Sequence, residues 1–356
     1  MQTPCRFGVL GTGNIAAQFA RDVSEAQRSE IAAVGSRNAE SAAGFGRRFG
    51  LDPARCHGSY EAMLADPGLD AVYVSLPNHL HETWTARALE SGKHVLCEKP
   101  LAMSPGEAQR MFGAAEKHDR LLMEAFMYRC HPLTHAVRDA VRRGAIGTLK
   151  MIRASFCFRV ARTAGNIRFD PSTGGGALMD IGCYGLDFCR LIIGRPPSPE
   201  SPRLLAHRHD TGVDDVGAVI LQFPADPHAP PALSGPVTAT LTFGMTLQLD
   251  NTAHLGGADG HLQVPVPWKP PQRGAAYVLG GQIPPKQDAV VNSGKASEQP
   301  PRGPEPRAVA VDAAAPLYAL EADAFADAVA GRADLPITPA ESLDNARLLA
   351  ALRRQL

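Results

Sequence analysis

The sequence predicts an N-terminal α/β domain, a parallel sheet with helices on both faces, followed by an α+β domain with a large, mostly antiparallel open sheet. Three observations predict it. The first third of the chain alternates short apolar runs with longer segments of helical periodicity, the mark of a parallel sheet wrapped by helices. After about residue 128, strand candidates follow one another directly, as in an antiparallel sheet. A chain of 356 residues with 44% hydrophobic content is long enough for two cores.

The apolar runs Phe7–Leu10, Ile31–Gly35, Ala71–Leu76, His94–Cys97 and Leu121–Glu124 read as buried strands. Between them, Ile15–Val23, Ser41–Phe49, Glu82–Glu90 and Pro105–Lys117 carry apolar residues at helical spacing. This domain is placed at residues 1–127 and the second at 128–356. The second opens with a helix (Leu133–Arg143) and a strand (Leu149–Phe158), then a glycine-rich turn and a helix (Ala177–Ile193). Strand candidates follow near 204–209, 215–223, 236–249 and 261–266. Residues 268–307, rich in Pro, Gly and polar residues, read as a surface arm or disordered loop in preference to a lid. Helices Leu317–Ala330 and Pro339–Gln355 close the chain.

Lys plus Arg equals Asp plus Glu at 36 each, so the net charge is +0 and nothing favours nucleic acid or an anionic membrane. The seven cysteines are dispersed, without C-x-x-C or metal-ligand spacing, which suits reduced thiols in the cytoplasm. No metal site is expected. No stretch approaches a membrane span and no leader segment is evident, so the reading is a cytoplasmic protein.

Ligands of such parallel sheets bind beyond the carboxyl ends of the strands. That edge collects Gly11–Gly13, Ser36–Arg37, Leu76 with Pro77–His81, and Glu98–Pro100. The first of these, in "VLGTGNIA", is G-x-G-x-x-A directly after a strand and opening a helix. Glycine permits the tight turn and the approach of a pyrophosphate, and the helix N-terminus offers free N–H groups. This is a Rossmann dinucleotide site, with Gly11, Thr12, Gly13, Asn14 and Ile15 around the phosphates. At the end of the second strand an NAD site places an acid, whereas this chain has Ser36 and Arg37. A neutral serine and a guanidinium suit a 2′-phosphate, so NADP is favoured over NAD. The alternative for Arg37 is a solvated surface charge.

"HVLCEKPLAM" ends an apolar strand abruptly in Glu98, Lys99 and Pro100. Lysine is seldom tolerated at the rim of a core, and a proline stops pairing, so the ammonium is held at a mouth. Beside a substrate hydroxyl it would stabilise developing alkoxide charge and lower the pKa of a neighbouring phenol. "GGGALMDIGCYGLDF" supplies the partners. Three glycines let the backbone come close to a ligand, and Asp180 and Tyr184, four apart, project from one helical face. A solvated helical acid is the alternative for Asp180.

With "GTGNIA", "SLPNHLH", "EKPL", "GGGALMDIG" and "LEADAFADAV", the chain resembles the glucose-fructose oxidoreductase/inositol dehydrogenase/MocA (Gfo/Idh/MocA) family over nearly its whole length. "EAFMYRCHP" and Tyr184 look most like the dihydrodiol and D-xylose dehydrogenase branch. The resemblance implies that Lys99 is the catalytic lysine, Asp180 the carboxylate orienting substrate and Tyr184 the acid/base. It implies that Asn78, His81 and Arg168 lie near the cofactor. Turn chemistry, a helix-start histidine and a surface charge remain open for these three. It implies a Lys99–Pro100 bond that is often cis. The activity implied is NADP-dependent hydride transfer with a cyclic sugar, polyol or dihydrodiol. An aldose–aldose oxidoreductase or redox-assisted glycosidase that recycles its cofactor is the alternative, and a non-enzymatic NADP-binding regulator a more distant one. Substrate contacts are expected around Tyr128–His131 and Phe158–Arg168, with the Pro-rich arm as a further candidate.

Alternation of Val237, Ala239, Leu241, Phe243 and Met245 predicts a strand with one packed face. The other face is expected to pair with a second copy in a homodimer or homotetramer, or else to be covered by the chain's own arm.

Overall fold

The computed structural model describes residues 3–280 and 305–356. The first sheet takes its strands from five apolar runs and one short addition. β1 (Cys5–Leu10), β2 (Ser29–Gly35), β3 (Cys56–His57), β4 (Ala71–Val74), β5 (His94–Glu98) and β6 (Leu122–Ala125) pair in the order β3-β2-β1-β4-β5-β6. All five pairings are parallel. α1 (Asn14–Val23), α2 (Ala39–Phe49), α3 (Tyr60–Leu64), α4 (His81–Glu90) and α5 (Pro105–Lys117) make the crossovers. Their starts are written in the sequence. Asn38, Ser59 and Ser104 each accept a backbone N–H of the first turn, which satisfies a donor that the helix itself leaves open. The element β3–α3 was not anticipated, because two strand residues and one and a half helical turns are too short for periodicity.

In the second domain α6 (Pro132–Arg142) precedes β7 (Leu149–Cys157), and α7 (Cys183–Ile193) follows a π-helical turn at Leu178–Gly182. The remaining strands are β8 (Arg203–Arg208), β9 (Asp214–Phe223), β10 (Val237–Gly244), β11 (Ala253–Gly257), β12 (His261–Val264), β13 (Ala276–Gly280) and β14 (Arg307–Ala310). They form an eight-stranded sheet in the order β14-β13-β12-β11-β7-β10-β9-β8, antiparallel except where β10 meets β7. Val237, Ala239, Leu241, Phe243 and Met245 are buried as expected. The other face carries Leu205 (82% exposed), Ile220 (48%) and Met151 (38%).

Two expectations are corrected. Residues 268–280 are not arm or disorder: Trp268 is buried in the core and β13 extends the sheet, with β14 beyond it. Residues 281–304 of the expected arm lie outside the described residues. Second, the two C-terminal helices, α8 (Leu317–Val329) and α9 (Pro339–Arg353), serve the first domain as well. Phe325 packs 6.0 Å from Phe7, and Asp323 accepts the Gln27 and Arg28 N–H groups at 2.8 Å each. Arg353 donates to Met103 O at 2.8 Å. The chain therefore ends by clamping its first domain to its second.

Candidate active site

The glycine loop is built to receive an anion. Gly11 has φ +105°, a conformation that side chains rarely adopt, and its N–H bonds Gly35 O at 2.9 Å. Gly13 starts α1 with no side-chain cap, and space is open where its Cβ would stand. The first N–H groups of α1, from Asn14 and Ile15 onward, are thus uncapped donors at the positive end of the helix dipole, with no acid in the first turn. These residues fit a dinucleotide pyrophosphate. At the end of β2, Ser36 is buried with its N–H on His57 O at 3.0 Å, and Arg37 is exposed. Burial raises the Tyr60 phenol pKa, and the Arg37 charge offsets part of that.

Beyond β5, the Lys99–Pro100 peptide bond is cis and the Lys99 side chain crosses to the second domain. Its Nζ donates to Asp180 O at 2.6 Å and Asp180 Oδ1 at 3.2 Å. Arg168 Nε takes the other carboxylate oxygen, Oδ2, at 2.6 Å. Burial works against the Lys99 ammonium, but Asp180 with Cys183 and Glu98 outweighs it, and the pKa stands above the ordinary lysine value. Burial likewise opposes the Asp180 charge; Lys99 and Arg168 overcome it and hold that carboxylate below its usual range. The pair is charged and mutually stabilised.

Tyr184 lies in the same cluster, but its hydroxyl does not meet Lys99. Lys99 Nζ stands 5.0 Å from the ring centroid, and the hydroxyl donates to Met127 Sδ at 3.3 Å. Phe126 and Phe156 pack edge-on against the ring at 5.3 and 5.1 Å. Burial, and then Tyr318, Glu98, Cys183 and Asp180, push its pKa well above the usual phenol value. The expected lowering is therefore reversed: the cation faces the ring, while desolvation and negative neighbours act on the oxygen.

The remaining predicted residues hold the site in place. Glu98 is buried; its carboxylate accepts from the Tyr73 hydroxyl and from the Lys99 N–H at 3.2 Å, and burial raises its pKa. Asn78 Nδ2 donates to Gly174 O at 2.9 Å, joining the domains. His81 is buried with its ring nitrogens 2.8 Å from Leu76 O and 3.0 Å from Pro100 O, which ties the two turns at the sheet edge together. Desolvation lowers its pKa. In this structure the Asn78 and His81 side chains are occupied by protein groups.

The triple glycine has a structural reason within the fold itself. A Cβ on Gly175 would strike the Arg168 and Asp170 carbonyls, and one on Gly176 (φ +118°) would strike the Asp214 carboxylate. Asp214, missed in the sequence, caps the turn by accepting Leu178 N–H at 2.6 Å. The anticipated regular helix from Ala177 is a π-helical turn up to Gly182, where the wider backbone leaves the Asp180 carbonyl for Lys99. Tyr128–His131 is likewise corrected: Tyr128, Arg129 and His131 are buried. Arg129 grips Asp187 at 2.6 and 2.9 Å and Glu341 at 2.8 Å, a structural tie to α9 and not a substrate surface. Trp268, 6.0 Å from Tyr184, was also missed, since nothing in the sequence joins positions so far apart.

A glycine cradle for a dinucleotide at the end of β1, with a lysine beyond β5 bonded to a carboxylate of the second domain, defines a dinucleotide-dependent oxidoreductase. Residues 5–126 match the model of an oxidoreductase family with an NAD-binding Rossmann fold, and residues 134–263 match the Gfo/Idh/MocA C-terminal domain. The chain belongs to the Gfo/Idh/MocA family. It is 40% identical over 220 residues (61% of this chain, 65% of the relative) to D-xylose 1-dehydrogenase (NADP(+)) 2 of Haloferax volcanii. The match thus spans just under two thirds of that relative's length. It is 32% identical over 268 residues (74% and 76%) to human trans-1,2-dihydrobenzene-1,2-diol dehydrogenase. Among solved structures, a 3-ketoreductase from Actinomadura kijaniata in complex with NADP and TDP-benzene is similar at 30% identity and TM-score 0.80, covering 99% of this chain and 98% of the other. Among the described residues, no helix is long and apolar enough to cross a membrane and no cluster suits a metal ion.

Proposed function

We propose that the protein is an NADP-dependent oxidoreductase acting on a secondary alcohol or hemiacetal carbon of a cyclic sugar, polyol or dihydrodiol. The observation that carries it is the Lys99 ammonium, held at the domain junction by both the carbonyl and the carboxylate of Asp180. Relatives named as an NADP(+) D-xylose dehydrogenase and a dihydrodiol dehydrogenase support the substrate class, and the first also supports the cofactor. NADP, when bound, supplies or accepts the hydride. Lys99 stabilises the charge that develops on the substrate oxygen. Asp180 fixes where that ammonium points, and Arg168 fixes Asp180. Tyr184 is the proton-carrying group, and its raised pKa keeps it as neutral phenol near pH 7. A charged ammonium and a neutral phenol are the protonation states that carbonyl reduction needs, since each still carries the proton it would give.

The test is direct. NADPH absorbance should grow when the protein turns over aldoses or dihydrodiols with NADP⁺, and fall in the reverse reaction with a ketosugar. Absence of both with a broad panel, together with no NADP binding, would overturn the reading.

A further inference from the structure

The segment after β12 is anchored on both sides of an exposed cation. Trp268 donates its indole N–H to Ser155 O at 2.7 Å and stacks on Phe156 at 5.8 Å. Four residues on, Gln272 O accepts the Ala313 N–H at 2.8 Å. Pro267 and Pro270 are buried, and each fixes its own φ. Within 267–270 only Lys269 is exposed. A lysine is thus presented on a rigid stretch of chain, next in sequence to the ring that packs against Tyr184.

The charges that act on this ammonium are those of the candidate active site. Lys99 and Arg168 repel it, Glu98 and Asp180 attract it, and desolvation by the surrounding protein is the largest influence, so its pKa lies below the ordinary lysine value. Neither carboxylate is free to pair with it. Asp180 is shared between Lys99 and Arg168, and Glu98 is buried against Tyr73. Among the described residues Lys269 has no ion pair, and the charges acting on it are two other cations, the partly buried Asp180 carboxylate that those two already hold, and the buried Glu98. A neutral sugar would leave this ammonium unpaired. An oxyanion on the substrate would meet it with a charge-assisted hydrogen bond.

We propose that Lys269 is a specificity-determining residue that pairs with an anionic group, carboxylate or phosphate, on the sugar-like substrate. The proposal rests on the redox reading above.

The experiment compares D-glucose, D-glucuronate and glucose phosphate as substrates of the NADP⁺ complex, for the native protein, Lys269→Gln and Lys269→Arg. Binding of the two anions to the NADPH complex is measured by calorimetry alongside, and NADP affinity by fluorescence. The expected result is that one anion exceeds glucose in kcat/KM by about 10-fold or more, the worth of one charge-assisted bond. Lys269→Gln should abolish that ratio mainly through KM, and Lys269→Arg should restore part of it. NADP affinity should be the same in all three proteins. Which anion wins tells carboxylate from phosphate. Equal or better use of glucose overturns the proposal, as does an anion preference that survives in Lys269→Gln. So does NADP affinity that falls in step, which would assign the cation to the cofactor. Lys269-dependent anion binding without NADPH formation from any sugar would instead sink the redox reading and leave Lys269 an anion site. No binding and no turnover of either anion overturns the proposal.

Discussion

The Lys99 ammonium lies over the Tyr184 ring, 5.0 Å from its centroid, while the Tyr184 hydroxyl turns to Met127 Sδ. A cation over an aromatic face is attracted by roughly 0.5–2 kcal/mol. That attraction positions the ring; it does not produce phenolate, and burial pushes the Tyr184 pKa well above its ordinary value. Alcohol oxidation needs the deprotonated phenol, whose fraction rises tenfold per pH unit below the pKa. The oxidation rate should therefore climb with pH and show no plateau up to about pH 10, the unperturbed phenol value. Tyr184→Phe should cut turnover by about 10²–10⁴-fold and remove that climb, with NADP affinity retained. A plateau near neutral pH, or full activity in the Phe variant, would assign proton transfer to another group.

Asp180 decides the charge of Lys99. Burial alone would lower the lysine pKa, and the carboxylate is the first of the groups that reverse this. Asp180→Asn should accordingly drop the Lys99 pKa below the ordinary lysine value, while the Arg168 charge adds to the fall. The pH dependence of Lys99 labelling by an amine-directed reagent, followed by peptide mass spectrometry, reads it. Labelling should begin at lower pH in the variant. An unchanged profile would mean that other neighbours hold the ammonium charged.

The parts of this site that could be read from the sequence are those where adjacent residues do the work. Gly11 and Gly13 sit between a strand and a helix, and Lys99 ends a strand, so local pattern was enough to place them on one edge. Asp180 and Tyr184 were found as a pair, but the π-helical turn between them was not, because its cause is remote: Asp214 caps the turn and Phe243 packs on Gly182. Trp268 and β13 were hidden for a similar reason. Proline and glycine dominate their surroundings, and only the cross-sheet bond to Ser155 and the pairing with β12 make them ordered. β11 carries two glycines in five residues and gave no alternating signal. Asn78 and His81 were placed at the correct edge, yet what their side chains hold depends on Gly174 and Pro100, which only the folded chain brings near.

Glu124 gives a prediction for stability. It is buried, and that raises its pKa from 4.5 to about 7; Asp187 adds to the rise, while the Leu101 N–H and Arg129 offset part of it. In the unfolded chain the group ionises near 4.5, and in the folded chain it keeps its proton to about 7. The stability this carries is thus complete below the lower value and lost as pH rises through the upper one, by on the order of 3 kcal/mol in all. Glu124→Gln keeps an acceptor for Leu101 N–H and cannot ionise. Denaturant melts at several pH values should show the variant gaining on the native protein between about pH 4.5 and 7, then holding level. A constant difference across that window would place the ionisation elsewhere.

The uncovered face of the second sheet predicts assembly. Ile220 stands opposite Thr240 on β10 and Leu205 opposite Ala218 on β9, while Arg203 opposite Ile220 and Arg153 opposite Thr240 give this open face a mixed apolar and charged character. The described parts of the expected arm lengthen the sheet at its edge and do not cover this face. A homodimer or homotetramer through it would bury Leu205 and Ile220. Light scattering at micromolar concentration should give a multiple of the 37.8 kDa chain mass, and Leu205→Glu with Ile220→Glu should shift it toward one. A monomeric native protein would refute the pairing.

Cofactor choice turns on the end of β2. A 2′-phosphate brings close to two negative charges there, and an acid would repel it. Ser36 offers a neutral donor, and Arg37 is exposed and unpaired among the described residues, with its charge felt by Tyr60 at the start of α3. Charge-assisted hydrogen bonds from the guanidinium are worth roughly 1.5–3 kcal/mol each, or about 10- to 150-fold in affinity. NADP should exceed NAD by at least that lower margin in direct titration, and the preference should shrink as salt screens the exposed arginine. Ser36→Asp combined with Arg37→Ile should weaken NADP far more than NAD, and because neither residue contacts Lys99 or Asp180, turnover at saturating cofactor should be kept. Equal affinities for the two cofactors in the native protein would show that Arg37 faces water and that the ribose end is read by other groups.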